Sequence, residues 1–130
     1  MSYYFNKILK SKNFDEAIKQ VTSGLRKEGF GVLTEIDVKE TLKKKLDVDF
    51  KRYTILGACN PNSAYNILQK EDKIGVFLPC NVIVEEHENG DIEVVAVDPI
   101  ASFAAVKNDT IGCNLIDIQQ KLIRIIHNLD

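Results

Sequence analysis

The chain has 130 residues, 45% of them apolar and 28% charged, with a formal net charge of −2. That length fits a single domain, residues 1–130, which can bury a core without disulfide or metal staples. The balance of charge excludes the basic stripe that phosphate neutralisation needs, so nucleic acid is not an expected partner. No apolar run reaches the roughly 20 residues of a membrane span.

In chain order, a first strand is expected from Tyr3 to Leu9. Asn13 with Glu16 three positions on forms a capping box, followed by Phe14, Ala17, Ile18, Val21 and Leu25 at helical spacing, with Gly29 as the stop. Gly31 to Ile36 reads as a second strand. Asp37 and Glu40 repeat the cap for a short charged helix, whose Leu42 and Leu46 are expected to face inward while Lys43-Lys44-Lys45 face water. Tyr53 to Cys59 is apolar on both alternating faces, which predicts an interior strand covered on each side. Asn60 caps the next helix, with Pro61 at its first position and Ala64, Ile67 and Leu68 on one face. Val76 to Leu78 is a short apolar run broken by Pro79.

Asn89-Gly90 between two β-branched runs predicts a two-residue hairpin turn. In that register Val82 faces Val97, Val84 faces Val95, Ile83 faces Ala96 and Asn81 faces Asp98, with Cys80 beside Pro99. Glu85, Glu86, His87, Glu88 and Glu93 then fall at a solvated tip. The last helix is expected from about Leu115 to Asn128, capped by Asn114. Its apolar stripe (Leu115, Ile118, Leu122, Ile125, Leu129, widened by Ile116, Ile123 and Ile126) is broader than one sheet face requires, so a partner subunit is expected.

Phe30-Gly31-Val32-Leu33, Glu35-Ile36-Asp37, Gly57-Ala58-Cys59-Asn60-Pro61, Ala64, Gly75, Leu78-Pro79-Cys80-Asn81-Val82 and Asp98-Pro99 stand in an order and spacing that resembles the family called domain of unknown function 302. The resemblance covers nearly the whole chain. It implies an α+β fold of the TATA-binding-protein-like type, an antiparallel curved sheet with helices packed on one face, assembled as a homodimer. It implies no activity, and a fold alone assigns none.

The residues that could carry chemistry are Cys59, Asn60, Cys80, Asn81 and Asp98. Cys59 precedes a helix cap, where free N–H groups favour a thiolate; the competing reading is a small apolar residue closing a buried strand. Cys80 reads equally as core, unless the two thiols meet. If Cys59 and Cys80 meet, they suit a soft metal such as Cu(I) or Zn²⁺. Asp98 before Pro99 is a candidate base or an Asx turn residue. His87 reads as a solvated group of the hairpin tip, His127 as a last-turn residue whose positive charge suits the helix C-terminus, and Cys113 as a residue just before the last helix.

Three cysteines, an odd number, with no secretory pattern at Met1-Ser2-Tyr3-Tyr4, point to reduced thiols and a cytoplasmic setting. No nucleophile elbow, phosphate loop or dinucleotide fingerprint occurs, so the sequence names no reaction or cofactor. Three readings remain. The first is a homodimeric module binding a small ligand or soft metal near Cys59, Asn60 and Cys80. The others are a thiol-dependent redox or enzymatic protein using Cys59, and a purely structural or regulatory dimer.

Overall fold

The computed structural model describes residues 2–10 and 12–130. The strands are β1 (Tyr4–Leu9), β2 (Gly31–Asp37), β3 (Tyr53–Cys59), β4 (Cys80–Glu86) and β5 (Ile92–Val97). The helices are α1 (Phe14–Lys27), α2 (Val38–Leu46), α3 (Pro61–Lys70), α4 (Pro99–Ser102) and α5 (Gly112–His127), with 3₁₀ turns at Asp72–Phe77 and Asp109–Ile111. All five strands join one antiparallel sheet in the order β1-β5-β4-β3-β2.

Side-chain caps fix the helix starts. Asn13 accepts from the Glu16 N–H at 2.8 Å, Asp37 from the Glu40 N–H at 2.9 Å and Asn60 from the Ser63 N–H at 3.3 Å. The stripes of α1 (Phe14, Ala17, Val21, Leu25) and α5 (Leu115, Ile118, Leu122, Ile125, Ile126) bury against one face of the sheet. That face supplies Leu9, Leu56, Ala58, Val82, Val84, Ile92, Val94 and Ala96. The α+β architecture with helices on one side of the sheet is therefore as expected.

Four expectations change. The β4–β5 register is one residue away from the two-residue hairpin: Val82 pairs with Ala96, Val84 with Val94 and Glu85 with Glu93. The turn spans His87 to Asp91, with the Gly90 N–H donating to the His87 carbonyl at 2.9 Å and Gly90 alone at positive φ, 89°. Gly90 thus closes a three-residue loop instead of sharing a type I′ pair with Asn89. A slip of one residue exchanges the two faces of β5, so Ile92, Val94 and Ala96 enter the core while Glu93, Val95 and Val97 face the other way.

Second, α2 buries nothing; Leu46 is 66% exposed, because this nine-residue helix lies beside the edge strand β2 and the neighbouring β3 with no further layer beneath it. Third, α5 begins at Gly112, two residues before Asn114, and its wide stripe is filled within the chain by β1, β5, α1, α3 and α4; Ile116 alone of that stripe is exposed. Fourth, β3 is interior but covered on one side only: Thr54, Leu56 and Ala58 are buried, whereas Tyr53, Ile55 and Cys59 are half-exposed on the opposite face.

Candidate functional site

That opposite face carries Tyr4, Asn6 and Ile8 from β1, Glu93, Val95 and Val97 from β5, Asn81, Ile83 and Glu85 from β4, and Tyr53 and Ile55 from β3. No helix covers it. A groove of about 430 Å³ runs over it, lined by Tyr3, Tyr4, Tyr53, Asn81, Ile83, Glu85, Glu93, Val95 and Val97. A second cleft of about 260 Å³ lies at the end of the sheet, between Val76, Phe77, Leu78, Pro79, Cys80 and Phe103, and shares Asn81 and Val97 with the first. The two hollows adjoin at Asn81 and Val97, with apolar side chains and a few polar groups lining both.

At its other end the groove turns polar. Glu85 and Glu93 face each other across the strand pair, and Glu85 is only 9% exposed. The Lys51 ammonium bonds Glu85 Oε1, and that carboxylate in turn raises the lysine pKa. Glu93 accepts from Asn6 Nδ2 at 2.7 Å and pairs with His87 Nε2 at 2.8 Å. Burial pushes the Glu93 carboxyl up, but the bonds from Asn6 and His87 outweigh it and leave its pKa lowered. The expectation of a solvated hairpin tip fails for this pair, since the register error had hidden their opposition.

A larger hollow of about 600 Å³ lies at the β2–α2 side, lined by Phe14, Asp15, Ile18, Lys19, Glu35, Asp37, Lys39, Arg52, Tyr53 and Thr54. Glu35 and Asp37 do share one side there, as their spacing implies. However, Asp37 is engaged as the α2 cap, and Arg52 stacks on Phe14 with its guanidinium 4.1 Å from the ring centre and pairs with Asp15 at 3.0 Å. Asp15, Asp37 and Arg52 are thus engaged, whereas no hydrogen bond or ion pair among the described residues reaches the side chains of Lys19, Glu35 and Lys39.

The residues singled out from sequence divide. The ends of β3 and β5 and the start of β4 do lie at one end of the sheet, as their pairing requires. Cys80 pairs with Ala58, so Cys59, one residue on, projects to the opposite face. Strand alternation thus directs the two thiols to opposite faces, an arrangement that does not favour the two-sulfur site of the soft-metal reading. Burial raises the Cys59 pKa and pushes Cys80 up to about 11, the neighbouring Cys59 adding to the latter. Loss of hydration at the strand end disfavours the thiolate expected at Cys59.

Asn60 is occupied twice, accepting from the Ser63 N–H and donating through Nδ2 to the Glu28 carbonyl at 3.4 Å. Asp98 caps α4 through the Ile100 N–H at 3.0 Å and accepts from Gln119 Nε2 at 3.1 Å. Both are structural ties. Asn81 remains exposed in the groove. Cys113 stands in the first turn of α5 and is exposed; all three cysteines are free. Sequence reasoning missed the tyrosines of the groove and the Glu85–Glu93 pair. An alternation of Asn81, Ile83 and Glu85 against Glu93, Val95 and Val97 was the available signal.

Among the described residues, no helix is long and apolar enough to cross a membrane. Among curated proteins, no sequence matches the chain. The structure is similar to the crystal structure of an uncharacterized conserved protein DUF302 from Bacillus stearothermophilus, with a TM-score of 0.89 and 28% identity over 98% of each chain. Residues 5–129 match the family described as "Domain of unknown function DUF302". The chain belongs to that family, as the run from Phe30 to Pro99 implied.

Proposed function

We propose that the protein is a homodimeric module that binds a small, largely apolar ligand on the uncovered face of its sheet. The observation that carries this reading is the groove lined by Tyr3, Tyr4 and Tyr53, which shares Asn81 and Val97 with the Pro79–Cys80 cleft. Apolar walls with one or two polar groups are what small-molecule sites generally present. Asn81 would orient the ligand, and Cys80 closes the far end as a buried wall, not as a nucleophile. The raised pKa of Cys59 argues against the thiol-dependent alternative. In this reading the sheet is of the TATA-binding-protein-like type but does not serve nucleic acid, because Glu85 and Glu93 make one end of its free face acidic. An odd number of free thiols supports a reducing, cytoplasmic setting.

The dimer reading shifts from α5 to the β2–α2 limb. Leu33, Ile36, Leu46, Val48 and Phe50 are exposed there, at 66%, 46%, 66%, 43% and 39%. A nine-residue helix with no buried side chain has little to hold it; a second copy laid on this limb would supply the missing layer. Sedimentation equilibrium should give a dimer for the wild type and a monomer for Leu46→Glu; a monomeric wild type at micromolar concentration refutes the dimer. Binding of the apolar anion 8-anilinonaphthalene-1-sulfonate should fall at least tenfold in Ile83→Lys and stay unchanged in Ile116→Lys. Equal loss in both variants would refute the groove.

A further inference from the structure

We propose that Glu85, His87 and Glu93 form a binding site for a first-row divalent cation such as Zn²⁺, with Lys51 as its built-in competitor. The inference stands apart from the ligand of the groove, since it concerns only the polar end.

The donor atoms of the three side chains lie within 4.8 Å of one another. Two ligands on one ion at about 2.1 Å each stand roughly 3.4 Å apart in tetrahedral geometry, so side-chain adjustments of about 1 Å would gather all three. The placement needs an explanation. Like charges directly opposite on neighbouring strands destabilise a sheet, and carboxylates withdrawn from water need compensation. The side chains of Glu85 and Glu93 are 11% and 16% exposed. Lys51 supplies one positive charge against two carboxylates, and His87 in the neutral form that ligates metals supplies none. In that form of His87 the cluster carries a net charge of −1.

Glu85 adds a second observation. Its residue is nine-tenths buried, at 9% exposure, and it lines the groove. Its Oε1 accepts from Lys51, while no hydrogen bond from the described residues reaches its other oxygen. That oxygen is not shut away from water, and an ion entering from the groove can reach it. Asn6 holds Glu93 from the far side through Oε2 at 2.7 Å, the kind of outer contact that orients a metal ligand. Asp91 and Lys10, which follow along the same strand end, pair with each other at 3.0 Å and leave the balance unchanged.

One imidazole with two carboxylates favours borderline ions of the zinc type over Mg²⁺, which takes oxygen alone, and over soft ions that take thiolate. On binding, the ion displaces the Lys51 ammonium from the Glu85 carboxylate, and the lysine swings into solvent. Groove water completes the coordination.

The test is calorimetric titration of chelator-stripped full-length protein with Zn²⁺, together with the absorption spectrum of the Co²⁺ form. One ion per chain is expected, weakened at least tenfold by His87→Ala and by Glu93→Gln. Lys51→Met should tighten binding several-fold, an effect that loss of a merely structural ion pair would not give. The Co²⁺ spectrum should show oxygen and nitrogen ligation with no sulfur-to-cobalt charge transfer. Unchanged affinity in His87→Ala, weaker affinity in Lys51→Met, or a thiolate band abolished by Cys59→Ser would each overturn the proposal.

Discussion

Replacing Gly57 by alanine tests how tightly the end of the sheet beside the groove is built. Gly57 is buried in β3, where it pairs with Thr34 of β2 and Asn81 of β4. A Cβ at this position would lie 2.2 Å from Thr34 Oγ1 and 2.8 Å from Pro79 Cγ. The threonine can rotate, but only by placing its methyl group near the same space, and the proline ring cannot yield. Overpacking of this kind costs about 1–3 kcal/mol. Alanine also lowers the entropy of the unfolded chain, which returns roughly 0.4–1 kcal/mol. The net expectation is a loss of about 1–2 kcal/mol, or roughly 4–8 °C in Tm for a domain of this size. Urea unfolding followed by circular dichroism should show a lower midpoint with an unchanged slope. Thr34 is exposed, so Thr34→Ala alone should shift stability by less than about 0.5 kcal/mol. In the Gly57→Ala background it should recover part of the loss, with the Pro79 contact accounting for the remainder. A Gly57→Ala variant as stable as the wild type, or a double variant no better than the single, would refute the packing argument.

Thiol labelling of the folded protein should proceed in the order Cys113, Cys59, Cys80, following their exposed, half-buried and buried positions. With its pKa near 11, Cys80 holds only about one thiolate in a thousand at pH 8; labelling of Cys80 faster than Cys59 under native conditions would contradict this order. Asn60→Ala removes both the α3 cap and the bond to Glu28, and should cost about 1–2 kcal/mol by urea unfolding; a neutral result would return Asn60 to the list of ligand candidates. Glu28, held low by its hydrogen bond to Arg124, and Glu93, held low by Asn6 and His87 against the effect of burial, each sit below the ordinary carboxyl value of 4.5. A carboxyl lowered by folding contributes stability that is complete above its ordinary value and lost as pH falls through the lower folded value. Glu93→Gln should therefore flatten the acid limb of the stability curve below pH 4.5, and an unchanged limb would count against the geometry at Glu93.

Much of the fold was legible because local chemistry and tertiary structure agree. The caps at Asn13, Asp37 and Asn60 and the apolar spacing of α1 have one reading each. The hairpin did not, because Asn89-Gly90 serves both as a two-residue turn and as the end of a three-residue loop. Val94 to Val97 is apolar on both faces, so periodicity could not arbitrate between the registers. That single residue decides whether Glu85 and Glu93 face each other, and with it the polar end of the groove. Leu46 and the stripe of α5 show the converse limit. Spacing identifies an apolar face but not what lies opposite it, and α5 finds α1, α3 and α4 within its own chain while α2 meets β2 and β3 and buries no side chain. The roles of Cys59 and Cys80 needed the β3–β4 pairing, which places consecutive positions on opposite faces.

The central claim, that the uncovered sheet face is a ligand groove, is tested most directly by isoleucine-methyl NMR during titration with 8-anilinonaphthalene-1-sulfonate. Ile83 lines the groove, whereas Ile100 and Ile116 are exposed elsewhere at 40% and 53%. The account predicts saturable shifts at Ile83, and at its cross-strand neighbour Ile55, with Ile100 and Ile116 unmoved. Shifts centred on Ile116 or Ile100 while Ile83 stays still would contradict it.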